Sequence, residues 1–520
     1  LFVENDMKFH AVFFTDMSAR MWHARPLGAY RLATELRNQG FSVLVVDFLS
    51  QWLQDLRDFD KLLKSVISDQ TLFVGYSGTF FSRGAEVFES INNVDDYYKY
   101  KSECLSPWPV DLNTIRLLNR RIKILNPDLR IFYGGAWASM SLDNLSPAVS
   151  GVDYVVQGFA DSYIADILKK LQDKTHIPFS LENDCRVIKY DVTGAQFDFV
   201  NHSQTCYHPS DCFAPGEILP LETSRGCMFK CKFCSFPLLG RKKNDPSYHK
   251  HVDVLAREIA ANYENFGITK YMFVDDTFNE STAKLQDVQQ AIKLSGVDVK
   301  FFCYIRLDLI ERFPEQIQLL SDMGMQSAFL GIETLNSKAA RAVGKNSDPE
   351  SVKRTIETMR AVMGDRCNFH ASFIAGLPHE TEETIDEWMT WVHERHDLID
   401  TFNIQTLKLN KTDSNWPSEI TRDPEKYGYI TEPGTSAWTN NMGLTLSDSA
   451  RICRKWLTKT WQSGRLKIGG FDIVGMQNLG YSFEELQHQT LNSLPVADIK
   501  QRYQQRFKDY RQRLYTYIGK

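Results

Sequence analysis

Two successive α/β domains followed by a mainly helical C-terminal region make up the fold class that this 520-residue sequence predicts. Three observations predict it. Short apolar runs alternate with helical segments over residues 7–165, the same alternation resumes at Leu219, and beyond about residue 410 amphipathic helices take over. The composition, 43% hydrophobic and 24% charged, is that of a globular chain and excludes disordered and collagen-like classes. The length suits about three domains. A net charge of −5 argues against a strongly basic nucleic-acid binder. No apolar run approaches the roughly 20 residues needed to span a bilayer. The first methionine is Met7, and no export-signal pattern opens the sequence.

In the first domain, residues 1–165, strands are expected at His10–Phe14, Ser42–Phe48, Thr71–Tyr76, Arg130–Tyr133 and Asp153–Val156. Gly28–Asn38 reads as a helix stopped by Gly40. This rhythm predicts a parallel sheet with helices on both faces. Residues 80–128 are long for one crossover and read as a helical insertion, its middle made aromatic and irregular by Tyr97, Tyr98, Tyr100, Trp108 and Pro109. Residues 166–216 read as an irregular polar linker.

The second domain, residues 217–409, is expected to hold six strands: Leu219–Glu222, Tyr271–Val274, Lys300–Tyr304, Ser327–Gly331, Phe369–Ile374 and Thr401–Thr406. Helices are expected at Val252–Asn265, Thr282–Leu294, Pro314–Met323, Pro349–Val362 and Glu382–His393, which together suit a partial (β/α)6 barrel. Residues 410–520 turn helical, chiefly Ser447–Gln462 and Val496–Tyr517, and carry Trp416, Trp438, Trp456 and Trp461. Thr412–Thr445, rich in Pro, Gly, Asn and Trp, reads as a substrate lid or as a packing loop. Arg454, Lys455, Lys459, Arg465 and Lys467 read as a solvated face in preference to a binding patch.

Ten cysteines are present, and seven are scattered, as free buried thiols are in a large chain. The other three fall in Ser224-Arg225-Gly226-Cys227-Met228-Phe229-Lys230-Cys231-Lys232-Phe233-Cys234, with spacing C-x3-C-x2-C. Three thiolates on one loop can hold three irons of a cubic four-iron cluster and leave the fourth iron open. Zinc would want a fourth protein ligand, which His249 or His251 could supply. The place of the loop after a short strand and before barrel-like repeats, with Phe233 just ahead of the last cysteine, favours the cluster.

With this triplet the chain resembles the radical S-adenosylmethionine (SAM) enzymes. The resemblance continues through Val274-Asp275-Asp276, Gly331-Ile332-Glu333-Thr334 and Phe373-Ile374-Ala375-Gly376-Leu377-Pro378-His379-Glu380-Thr381. It implies that Cys227, Cys231 and Cys234 ligate a [4Fe–4S] cluster, with Phe233 at the family's aromatic position. SAM would chelate the open iron and be cleaved by one electron to methionine and a 5′-deoxyadenosyl radical. The resemblance further implies that Glu333 contacts SAM and that Ile374 and Gly376 form the turn on which adenine rests. The family's Gly-Gly-Glu is replaced by Val274-Asp275-Asp276-Thr277-Phe278. Asp276, preferred to Asp275, is expected to take the SAM ammonium; the other reading is a cap on the next helix. Tyr304 and Arg306 alternate onto one face of their strand, expected to be the inner one, near SAM or substrate.

In the first domain G-x-G-x-x-G is missing after the first strand, so a dinucleotide site is not indicated. The motifs present are Pro26-Leu27-Gly28-Ala29-Tyr30, Val74-Gly75-Tyr76-Ser77-Gly78-Thr79, Tyr133-Gly134-Gly135-Ala136-Trp137-Ala138-Ser139 and Val152-Asp153-Tyr154-Val155-Val156-Gln157-Gly158. Together they are similar to the Rossmann-like cobalamin-binding domain that precedes the barrel in one radical SAM subgroup. That resemblance implies cobalamin over the carboxyl ends of the strands. The small residues Ser77, Gly78, Gly134 and Gly135 would make room for it, with Thr79 on the loop after the third strand and Gly158 at the exit of the fifth. The usual acidic pair after the last strand reads Gly158-Phe159-Ala160-Asp161, and the Asp-x-His-x-x-Gly motif is absent. The cobalt face is therefore expected to lack that histidine; His23 is the one candidate substitute, and a surface or hydrogen-bonded role is preferred for it.

Joined, the two resemblances imply a cobalamin-dependent radical SAM methyltransferase acting on an unactivated centre. The alternatives are a non-methylating cyclase, oxidase or ring-rearranging enzyme, a methylthiotransferase, and a non-catalytic cobalamin or SAM sensor. Cys104, Cys185, Cys206 and Cys212 do not form the second triplet of a methylthiotransferase, and a sensor has no need of a cluster. A small molecule or peptide substrate, a reducing partner such as flavodoxin or ferredoxin, and a cytoplasmic location are expected, with neither membrane nor nucleic acid as partner.

Overall fold

The structure is a computed structural model that describes residues 8–17, 24–81, 110–135, 138, 142–190, 199, 203–234, 248–345, 348–409, 418–432, 435–490 and 493–519. The aromatic run Tyr97 to Pro109, His23, Trp416 and part of the Thr412–Thr445 segment lie outside the described residues. The first sheet holds β1 (Ala11–Thr15), β2 (Val43–Val46), β3 (Phe73–Ser77), β4 (Arg130–Gly134), β5 (Tyr154–Gln157), β6 (Ser180–Glu182) and β7 (Cys185–Lys189). Their order is β2-β1-β3-β4-β5-β7-β6, parallel except for β6. β1 and β2 are wholly buried, as strands covered on both faces must be.

The expected linker is corrected in its first part. Ile164–Gln172 is a helix, and β6–β7 is a hairpin that widens the first sheet. Its two-residue turn, Asn183-Asp184, has φ of 46° and 60°, the left-handed pair that matches strand twist.

The second sheet holds β8 (Leu219–Leu221), β9 (Lys270–Phe273), β10 (Lys300–Ile305), β11 (Met325–Glu333), β12 (Asn368–Ala375) and β13 (Thr401–Thr406). All six are parallel and neighbour one another in chain order, the arrangement of an open partial barrel. Helices Val252–Phe266, Thr282–Ser295, Glu315–Asp322, Pro349–Met363 and Glu382–Glu394 connect the strands.

The C-terminal helices bind the two sheets together. Val496–Tyr517 packs on the first domain: Trp52 meets Phe507 and Tyr515 edge-on, and the Asp47 N–H donates to Tyr510 Oη at 3.0 Å. Arg25, fully buried, pairs with Asp47 of the first domain and with Glu217 just before β8. On Leu446–Gln462, Lys455 pairs with Asp386, and farther on Lys467 pairs with Asp400, so the basic face is partly spent on local ion pairs. Among the described residues no helix is long and apolar enough to cross a membrane.

Candidate active site at the domain junction

The cysteine loop leaves β8 and is held open by a bridge between Ser224 and His249. All three thiols are partly exposed. Cys227 Sγ lies 3.3 Å from Thr277 Oγ1, and Arg306 Nη1 donates to Cys231 Sγ at 3.0 Å while its guanidinium lies 4.0 Å over the Phe229 ring. Arg306, just past β10, therefore points at the cysteine loop. Among the described residues no three His, Cys, Asp or Glu side chains converge on a single ion position. His249 is paired with Glu280, and His251 precedes its helix exposed, so neither joins the cysteines.

Two adjacent carboxylates at the end of β9 divide their roles. Asp275 is buried and bonded to Thr223, Ser224 and Lys284, fastening β8 to β9. Asp276 is exposed and lines the cavity between the domains. Neither caps the next helix; Ser281 does, its side chain accepting from Lys284 N. On β11 the register slips between Gly331 and Glu333, and Glu333 takes φ 69°, uncommon for a residue with a side chain. The bulge re-aims the carboxylate toward Lys345, 3.2 Å away.

The turn after β12 is shaped by a neighbour that lies far along the sequence. Gly376 has φ 92°, and a Cβ there would lie 2.2 Å from Trp438 Cη2. The missing side chain thus makes room for an indole, and Trp438 is pinned by its Nε1 donating to Leu407 O at 3.0 Å. Ile374 packs in the same cluster as Trp438, Leu377 and Leu407, and Phe233 lies against it. The described part of the Pro- and Trp-rich segment is thus packed on the barrel end, and Ile420 N donates to Lys232 O of the cysteine loop.

Sequence reasoning missed Glu380. It is fully buried, and Thr334 Oγ1 and the N–H groups of Gly376 and Leu377 donate to it at 2.6, 3.0 and 3.0 Å. Burial outweighs these donors and pushes its carboxyl from the ordinary 4.5 up to about 8. The folded state therefore favours the protonated form, so this contribution to stability is complete below about pH 4.5 and is lost as pH rises through about 8. Urea titrations should show the native chain losing stability across that window, and Glu380→Gln should flatten the slope. An unchanged slope would show that Glu380 is not its source.

The cavity between the domains spans about 1460 Å3, its opening to solvent included. Ser77, Thr79, Gly134, Gly135 and Gly158 line it from the first sheet, and Gly226 and Asp276 from the second. Gly78 is a correction: a Cβ there would lie 2.3 Å from Tyr133 Oη, so Tyr133 fills the space expected for a ligand. Gly135, at φ 115°, is required because a Cβ would lie 2.6 Å from Thr79 N.

The junction also holds charges that the sequence did not single out. Arg225 lies two residues before Cys227 and pairs with Glu222 at 2.7 Å and with Asp161 at 3.1 Å across the domain boundary. Arg31 approaches the same Asp161 at 3.5 Å. Burial raises the Asp161 carboxyl, yet Arg225 and Arg31 together leave it below its ordinary value.

Residues 221–392 match the model of the Radical SAM superfamily. This is a radical SAM domain. The chain is 28% identical over 168 residues to the uncharacterized methyltransferase PH0819 of Pyrococcus horikoshii, covering 32% of this chain and 34% of that one. It is 26% identical over 195 residues to the bacteriochlorophyllide d C-8(2)-methyltransferase of Chlorobaculum tepidum, covering 36% and 42%. The chain thus spans well under half the length of these curated relatives. The solved structure of the radical SAM methyltransferase TsrM from Kitasatospora setae, with cobalamin and a [4Fe–4S] cluster bound, superposes with a TM-score of 0.53 at 17% identity. That match covers 82% of this chain and 77% of TsrM, so the shared fold takes in both sheets and not the radical SAM domain alone.

Proposed function

We propose that the protein is a cobalamin-dependent radical SAM methyltransferase. One observation carries the reading: the cysteine loop and the strand ends of the first sheet open into a single cavity, where Gly226 and Asp276 face Ser77 and Gly135. When bound, the cluster and SAM supply a carbon-centred radical and cobalamin supplies a methyl group.

The chain's own residues hold and orient these groups. Cys227, Cys231 and Cys234 would ligate the cluster, and Arg306 would donate to the sulfur of Cys231. Asp276 would take the SAM ammonium. Glu333, held by Lys345, would accept from SAM on the other side, and the Ile374–Gly376 turn, fixed by Glu380 and Trp438, would carry adenine. Ser77, Thr79, Gly134, Gly135 and Gly158 would bound the corrinoid. The first domain is proposed to run through Lys189 and the barrel from 217 to 409. The nine described cysteines are all free thiols, which supports a reducing compartment such as the cytoplasm and a flavodoxin- or ferredoxin-type reductant. The methylated substrate belongs to the small-molecule or peptide class.

The test is turnover by anaerobically reconstituted protein with reductant and SAM carrying a deuterated methyl group. Formation of both 5′-deoxyadenosine and S-adenosylhomocysteine is expected, the latter only when cobalamin is present. Deoxyadenosine formation with no cobalamin-dependent S-adenosylhomocysteine would favour the non-methylating cyclase or oxidase reading instead.

A further inference from the structure

Hydrogen bonds tie the end of β10 to the loop after β9. The Phe278 N–H donates to Tyr304 O at 3.0 Å and the Arg306 N–H to Asn279 Oδ1 at 2.9 Å, while Asn279 Nδ2 donates back to Arg306 O at 3.0 Å. Asn279 is fully buried and also donates to Gln316 Oε1 at 3.0 Å. Its amide gives and takes a bond with one residue, as two residues paired across antiparallel strands do, and so fixes the Arg306 backbone. Thr277, two residues before Asn279, lies against Cys227. One loop therefore touches the first cysteine directly and the second through Arg306.

The Arg306 side chain is held as firmly as its backbone. Asp308 accepts from Nε at 3.0 Å and from Nη2 at 2.7 Å, one bond to each carboxylate oxygen, the forked pairing that fixes a guanidinium plane. The guanidinium carbon lies 4.0 Å from the centre of the Phe229 ring, and the residue is only 7% exposed. The donor left over by this clamp, Nη1, lies 3.0 Å from Cys231 Sγ. Thr277 is differently placed beside Cys227: its hydroxyl donates to Asp276 O at 2.9 Å, so its single hydrogen is already engaged. The contact to Cys231 is thus a directed bond from a buried charged group, and the contact to Cys227 is not.

We infer that Arg306 is a positioning residue acting through Cys231, and that its Nη1 donates to the Cys231 thiolate and raises the reduction potential of the cluster. The inference rests on the radical SAM reading and names what governs its one-electron step. In that step one electron passes to the cluster from a low-potential one-electron reductant, and no bond to the protein forms or breaks. The thiolate sulfurs carry more negative charge after reduction than before it. A cationic donor held against one of them stabilises the reduced form more than the oxidised form, and burial strengthens the effect.

The test is a potentiometric titration of the reconstituted full chain with titanium(III) citrate, without SAM, read by electron paramagnetic resonance of the reduced cluster. Arg306→Met should make the equilibrium constant for reduction about tenfold smaller, a fall in potential of about 59 mV for one electron. Arg306→Lys, which keeps a cationic donor without the fork, should recover part of the loss. An unshifted potential in Arg306→Met would overturn the inference. So would a shift that appears only after SAM is added, since Arg306 would then act on SAM and not on the thiolate. Should Arg306→Met fail to retain about four irons, the native chain carries the test. Grown with isotope-labelled arginine, its reduced cluster should show a guanidinium nitrogen coupling in pulsed resonance, and absence of that coupling would overturn the inference. Iron content and 5′-deoxyadenosine formation by the native chain judge the radical SAM reading separately, and a native chain that holds no cluster would sink both.

Discussion

Cys231→Ala is expected to lower bound iron from about four atoms per chain to less than one after anaerobic reconstitution, and to abolish SAM cleavage. Three ligands on one loop leave no spare donor. His249, the alternative ligand the sequence offered, is engaged with Glu280. Cys231 is partly exposed on a loop, so its truncation opens no core cavity, and circular dichroism and unfolding should stay close to those of the native chain. Loss of iron with the fold retained is the signature of a ligand. Retention of four irons would remove Cys231 from the cluster.

Arg225→Met is expected to cost about 3–5 kcal/mol of stability, the range for breaking a buried charge pair from one side. The substitution keeps bulk but removes the Arg225 pair from Glu222 and, among the described residues, leaves Asp161 with Arg31 at 3.5 Å as its ion-pair partner. Because Arg225 spans the boundary between the first sheet and the cysteine loop, the same change should loosen the junction and weaken cobalamin retention. Urea unfolding reads the first effect and cobalamin retention on desalting reads the second. A loss under about 1 kcal/mol would mean that water reaches these charges and that the pairing is of the weak surface kind.

Local pattern made most of the fold legible. The five strands expected in the first domain and the six of the barrel are all present, because each is a compact apolar run closed by polar or glycine residues. The β6–β7 hairpin escaped because its strands are three and five residues long, and its turn is carried by Asn183-Asp184 without a glycine. The cysteine triplet was legible for the same local reason. What could not be read was non-local: Arg225 meets Asp161 across 64 positions, and Trp438 fills the space beside Gly376 from 62 residues downstream. The reading of Gly78 as space for a ligand met the same limit. Gly78 and Gly376 are small because Tyr133 and Trp438 press against them, and a sequence shows the gap without showing what fills it.

The most direct test is the cofactor content of the chain itself. Protein reconstituted anaerobically with iron, sulfide and hydroxocobalamin, then desalted, should retain about four irons and one cobalamin per chain, by absorbance and mass spectrometry. Four irons with no cobalamin would contradict the proposed methyl transfer, leave the radical SAM domain standing, and require another ligand for the cavity between Ser77 and Gly226.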